Sequence, residues 1–154
     1  MVNMKSIALA SMAAFGFVQG GYAETTEEDI AAKAEALEVT KTTFDQEVLE
    51  EDRPFLVEFG ATWCGSCERL KPEMVRLSEA FSACLGVAIV DLNEGDNNDL
   101  IFRFEQETYI PRLFLFQEGE VVGKAFGAGH SAEQIGDWVR EKVPEAGHPV
   151  PPCM

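Results

Sequence analysis

The chain has little positive charge, little histidine and little cysteine. Against 27 Asp and Glu it carries 12 Lys and Arg, for a formal charge of -15. So negative a surface repels phosphate backbones and anionic headgroups, which sets nucleic-acid binding aside. Of the two histidines, His130 reads as a loop or capping residue and His148 as a solvated tail residue. Four cysteines are too few for a disulfide-dense scaffold, yet two of them stand three positions apart and need a specific explanation. Beyond the N-terminus no stretch offers the roughly 20 consecutive apolar residues of a membrane-spanning helix. What is there is 46% hydrophobic residues with 13 Gly and 7 Pro, which fits one compact domain and leaves no room for a second catalytic one.

The N-terminus has the layout of a secretory signal peptide. Lys5 precedes an apolar run from Ile7 to Val18, interrupted by Ser11 and Gly16, and small residues lead to Ala23 as the last residue before cleavage. The organisation expected is a signal peptide over 1–23, an N-terminal lead-in over 24–42, one domain over 43–143 and a Pro-rich tail over 144–154. Localisation follows as exported: periplasmic, secreted or organelle-lumenal, with no stable membrane insertion after cleavage.

Strand-like and helix-like patterns then alternate. Phe44, Val48 and Leu49 recur at helical spacing, and Phe55 to Phe59 reads as a buried central strand with Glu58 as its anomaly. From Cys67 a helical stripe runs through Leu70, Met74, Leu77, Phe81 and Cys84. Val87 to Val90 is a second buried strand, and Leu100 to Phe104 suggests a short helix. Leu113 to Phe116, the turn Gln117 to Glu120, and Val121-Val122 with Ala125-Phe126 read as a hairpin. Ser131 is the expected N-cap of a final helix carrying Ile135, Trp138 and Val139. This is a small α/β layered domain.

The chemistry concentrates in Trp63-Cys64-Gly65-Ser66-Cys67, between a buried strand and a helix. Two cysteines three apart on a helix-opening turn can close a small disulfide, and a helix N-terminus stabilises the thiolate of the first. Cys64 is then the exposed attacking thiolate, and Cys67, one turn in, the shielded resolving thiol. The pair also suits an inert disulfide or half of a zinc site. Zinc needs two further ligands, and Cys84, Cys153, His130 and His148 form no second clustered pair.

The run Phe55 to Lys71, FLVEFGATWCGSCERLK, resembles the active-site region of the thioredoxin superfamily. Pro72 matches that family's helix-kinking proline, Ile110-Pro111 its cis-proline dipeptide, Phe116 to Val121 its last strand turn, and Gly127 its glycine near the substrate groove. The resemblance spans about 43–143 and implies a thioredoxin-like fold, a central mixed β-sheet flanked by helices. It implies that Cys64, Cys67 and Glu58 carry catalysis, Glu58 being the buried acid that exchanges a proton with Cys67. Burial among apolar strands would raise its pKa to suit that exchange. The competing account leaves Glu58 at a strand edge facing solvent. Substrate contacts are implied for Trp63, Gly65, Ser66, Ile110, Pro111, Arg112 and Gly127; Trp63 could equally be a half-buried core residue, and Pro111 an ordinary trans proline.

Several residues depart from the family pattern. Ser66 stands where thioredoxins carry proline, Gly60 where many members have Trp, and Ile89 where a Lys often partners the acid. Arg112 follows the proline where Thr is common, which favours acidic partners, steadies a thiolate or simply meets solvent. The segment Asn93 to Tyr109 is about three residues longer than usual. Cys84, on the apolar stripe, is expected to be a reduced core thiol, while Cys153 in the tail could pair with Cys84, bond another molecule or serve Cys64.

The function expected is that of an exported protein thiol:disulfide oxidoreductase, a disulfide reductase whose Cys64 mixed disulfide is resolved by Cys67. Its partners are cysteine-containing proteins and a redox donor or acceptor protein, its state monomeric, and no metal, flavin or nucleotide cofactor is implied. The alternatives are an oxidant or isomerase of exported proteins, a non-catalytic chaperone-like binding module, and metal handling with Cys64 and Cys67 as soft copper ligands.

Overall fold

The structure is a computed structural model and describes residues 36–81, 84–106 and 109–144. The expected signal peptide, most of the lead-in, His148 and Cys153 lie outside the described residues.

Five strands form one mixed sheet: β1 (Leu37–Glu38), β2 (Phe55–Gly60), β3 (Gly86–Asp91), β4 (Arg112–Gln117) and β5 (Glu120–Phe126), in the order β1-β3-β2-β4-β5. β1 and β2 run parallel to β3, whereas β4 is antiparallel to both β2 and β5. Three α-helices flank the sheet: α1 (Gly65–Phe81), α2 (Asn97–Ile101) and α3 (Ala132–Lys142); a π-helical turn at Asp45–Leu49 carries the apolar residues that read as helical. This is the α/β arrangement expected from the alternating patterns. The sheet also takes in Leu37–Glu38, which the sequence reading leaves in the lead-in; two residues are too short a strand to show a period.

All six residues of β2 are buried, because both faces of the sheet are covered. Side chains alternate between faces, so Phe55, Val57 and Phe59 join Phe114 and Phe116 of β4 in one cluster with Phe44, Leu100 and Ile101. Leu56, Leu113 and Leu115 point to the other face and pack on Leu70, Met74 and Leu77 of α1 and Ile135 and Val139 of α3. Each such full burial stabilises by about 1.5–3 kcal/mol. The same alternation puts Glu58 and Gly60 on the α1 face, two and four residues after Leu56.

Turn chemistry completes the frame. β4 and β5 join through Glu118 and Gly119, both at positive φ, 52° and 78°, which is the two-residue hairpin geometry that matches strand twist. α3 opens on the capping box that Ser131 announces: Gln134 N–H donates to Ser131 Oγ at 3.3 Å, and Ser131 N–H donates to Gln134 Oε1 at 3.0 Å. Glu73 of α1 accepts from Ala132 N–H at 2.8 Å, tying the two helices together, and that bond holds its carboxyl below the usual range.

One expectation is corrected. Cys84 is disulfide-bonded rather than a reduced core thiol. α1 ends at Phe81, so Cys84 does not continue the stripe but sits in the turn beyond it, its N–H donating to Phe81 C=O at 2.7 Å. Periodicity alone extended the helix three residues too far.

Candidate active site

β2 delivers the chain to the site, and α1 receives it. After Gly60 the chain turns through Ala61 to Trp63, and Cys64 N–H donates to Ala61 C=O at 3.0 Å. Cys64 immediately precedes α1, its carbonyl already accepting from Glu68 N–H at 3.1 Å. Its sulfur accepts from Cys67 N–H at 3.2 Å and lies 3.3 Å from Ser66 Oγ. This is where an N-cap side chain sits, in the positive field of the helix N-terminus. A thiolate at Cys64 is favoured there over one in bulk water.

Cys64 and Cys67 are joined as a disulfide, their Cα atoms 5.3 Å apart. Both are largely covered, Cys64 at 7% exposure and Cys67 at 1%, so Cys64 is the more open of the two but less exposed than its sequence position suggests. The cover comes from Ala61 and Ile110, which pack on the pair. Ile110 belongs to the Ile110–Pro111 peptide bond, which is cis. Beside it, a cleft of about 350 Å³ runs between Trp63, Ala61, Ile110, Leu92, Asn93 and Asn98. Trp63 stands 72% exposed at its rim, unlike a core tryptophan.

The backbone is held close on the other side. Gly127 N–H donates to Pro111 C=O at 3.0 Å. A Cβ at Gly127 would lie 2.3 Å from Leu70 Cδ2, so a side chain there would displace Leu70 where β5 leaves the sheet against α1. Gly65, by contrast, has only the Arg69 guanidinium within reach of a Cβ, and its backbone simply opens α1.

Glu58 is buried on the α1 side of the sheet, 1% exposed, and neither carboxyl oxygen has a hydrogen-bond partner in the protein. Burial pushes the carboxyl up to about 7, opposed by the nearby Lys71 cation and reinforced by Glu68. With Ile89 in β3 where the family often has Lys, Lys71 of α1 is the cation near the carboxyl, itself ion-paired with Glu68 at 2.7 Å. Sequence reasoning missed Lys71 although its spacing carried the signal: it follows Cys67 by four residues and so shares that helix face.

Arg112 is committed elsewhere. Its guanidinium donates to both oxygens of Glu105, at 2.6 and 2.7 Å, and stacks 4.5 Å over the Phe126 ring. The bidentate bond holds the Glu105 carboxyl below its usual range. Glu105 carried no sequence signal, since nothing in a loop seven residues upstream announces its partner. Phe126 in turn meets Tyr109 edge-on at 6.3 Å, and both rings are largely exposed.

Among the described residues no group of three or more His, Cys, Asp or Glu is arranged to hold a metal ion. Among them, too, no helix is long and apolar enough to cross a membrane.

A paired dithiol at a helix N-terminus, faced by a cis-proline and backed by a buried acid, is consistent with a thiol:disulfide redox centre. The chain belongs to the thioredoxin family, whose family model matches residues 35–141. It is similar to the thioredoxin of Mycobacterium tuberculosis, 35% identical over 96 residues that cover 62% of this chain and 80% of that protein. The thioredoxin of Porphyra purpurea is 34% identical over 91 residues, 59% of this chain and 82% of its own. Protein disulfide isomerase-like 2-2 of Oryza sativa subsp. japonica is 32% identical over 99 residues, 64% of this chain but 26% of that protein.

Proposed function

We propose that this chain is an exported protein thiol:disulfide oxidoreductase that works chiefly as a disulfide reductase. The observation that carries the reading is the Cys64–Cys67 pair at the start of α1, with Cys64 the less buried cysteine and Glu58 buried nearby. In the reduced protein the Cys64 thiolate attacks a substrate disulfide, and the first substrate sulfur leaves as a thiol. Cys67 passes its proton to the Glu58 carboxylate and attacks Cys64. The Cys64–Cys67 bond forms, the Cys64–substrate bond breaks, and the second substrate sulfur leaves. Two protein thiols are oxidised and one substrate disulfide is reduced, so a donor protein must return two electrons. Trp63, Ile110 and Pro111 line the surface on which an extended substrate segment would lie, with Gly65, Ser66 and Gly127 contributing backbone and small side chains. Arg112 shapes this rim through Phe126 and Glu105 rather than by meeting a substrate charge.

Export is supported by the signal-like N-terminus and by the bonded state of Cys84, since lasting disulfides belong to oxidising compartments. The reductase direction is supported by relatives named thioredoxin that match over most of their length. The relative named as a disulfide isomerase supports an oxidant or isomerase as the second reading.

Two measurements test this. The Cys67→Ser protein should trap mixed disulfides at Cys64 with cysteine-containing proteins, and a variant that traps none would leave only a binding module. The reduction potential of the Cys64–Cys67 pair should fall near about -270 mV, whereas a value near about -120 mV would reverse the direction to that of an oxidant.

A further inference from the structure

Near the dithiol the sheet ends in a stack of side chains that the redox step does not use. Arg112 opens β4, Phe126 closes β5, and the two stand opposite each other across the strands. The Arg112 guanidinium lies 4.5 Å over the Phe126 ring and 5.9 Å over the Phe114 ring. Glu105 grips it through two hydrogen bonds, 2.6 and 2.7 Å, so its charge is matched and its plane is fixed. Phe126, backed by this clamp, is still 53% exposed, and Tyr109, edge-on to it, is 67% exposed. Neither ring lines the Trp63 cleft. Yet each is one residue from the backbone that brackets the disulfide: Tyr109 precedes Ile110, which packs on the Cys64–Cys67 pair, and Phe126 precedes Gly127, whose N–H donates to Pro111 C=O.

We propose that Phe126 and Tyr109 form a subsite for a large apolar side chain next to the substrate's reacting cysteine, and that Glu105 and Arg112 are positioning residues that hold the Phe126 ring ready for it. The inference rests on the oxidoreductase reading and names its substrate class, disulfides flanked by Phe, Leu or a similar side chain. A free aromatic side chain loses rotamer freedom when a partner covers it. A clamped ring has lost that freedom already on folding, so more of its burial appears as affinity. The charges around the rings select the occupant. A cationic side chain would meet Arg112 and Lys124, and both of these are engaged, Arg112 by Glu105 and Lys124 Nζ by Phe104 C=O at 2.7 Å, which leaves little for an anionic one. An apolar side chain meets neither penalty. The clamp depends on Arg112, which stands where the family commonly has Thr, so the subsite is a feature of this chain.

The test is single-turnover reduction of short peptide disulfides that differ only in the residue beside cysteine, Phe, Leu, Ser, Lys or Asp. The reduced protein is in excess and its concentration is varied, so the half-saturating concentration and the limiting rate are read separately. The Phe and Leu peptides should half-saturate at about tenfold lower protein concentration than the Ser peptide, with similar limiting rates. Phe126→Ala, a change at an exposed ring, should shrink that preference to about twofold or less. Glu105→Gln keeps the core and the ring but loosens the clamp; it should cut the preference to about threefold, leave the Ser peptide as in wild type, and add nothing to Phe126→Ala. The subsite is overturned by a wild-type protein that treats all five peptides alike or prefers Lys or Asp, and by a Phe126→Ala protein that keeps the preference. The clamp is overturned if Glu105→Gln keeps the full preference or weakens every peptide equally. A wild-type protein that forms no mixed disulfide at Cys64 with any peptide would instead sink the oxidoreductase reading, and this inference with it.

Discussion

Replacing Glu58 by Gln removes a buried group that ionises at the folded protein's expense, and the effect has a definite sign and size. In the folded chain burial holds the carboxyl proton to about pH 7, against an ordinary value of 4.5. Between those two pH values unfolding releases a proton, so this residue's contribution to stability falls as pH rises from 4.5 and levels off above 7. A displacement of that size is worth about 3 kcal/mol in full. Gln cannot ionise, so the variant escapes that loss. Urea denaturation of the oxidised proteins from pH 4 to 8.5 isolates the effect, because all other titrating groups cancel in the difference between wild type and variant. Relative to wild type, Glu58→Gln should gain about 3 kcal/mol between pH 4 and pH 8. A difference that stays constant with pH, or moves the other way, would mean that Glu58 meets water freely and would refute its burial as the cause of the shift.

Two further outcomes follow from particular contacts. Glu105→Ala leaves the Arg112 guanidinium half-buried against Phe126 without its carboxylate and should cost about 1–2 kcal/mol in urea denaturation at pH 7; the cost should shrink as pH falls below the glutamate range, where the lowered carboxyl is protonated in the wild type too. Non-reducing peptide mapping should find Cys84 in a disulfide, and a free thiol there would contradict its bonded state.

Much of this was legible in the residues because the deciding physics is local. The apolar runs at 55–59 and 113–116 imply buried strands, Ser131 implies a capped helix, and Gln117 to Glu120 implies a hairpin turn. Two cysteines separated by Gly65 and Ser66 at a strand-to-helix junction can pair, since one helical turn brings them within reach. What the residues do across the sheet was not legible. Arg112 could have faced solvent, a substrate or a thiolate, and only the tertiary fold, through the β4–β5 pairing that sets Phe126 opposite it and the loop that places Glu105 beside it, decides. The end of α1 was misread at Cys84, because a periodic stripe does not show where the backbone stops being helical. Glu58 announced itself as an anomaly, but its lack of partners and its nearness to the Lys71 cation depend on which elements close over β2. Local spacing by itself placed the two cysteines between a buried strand and a helix; long-range packing alone decided what stands behind them, because burial and charge at a point are sums over neighbours distant in the chain.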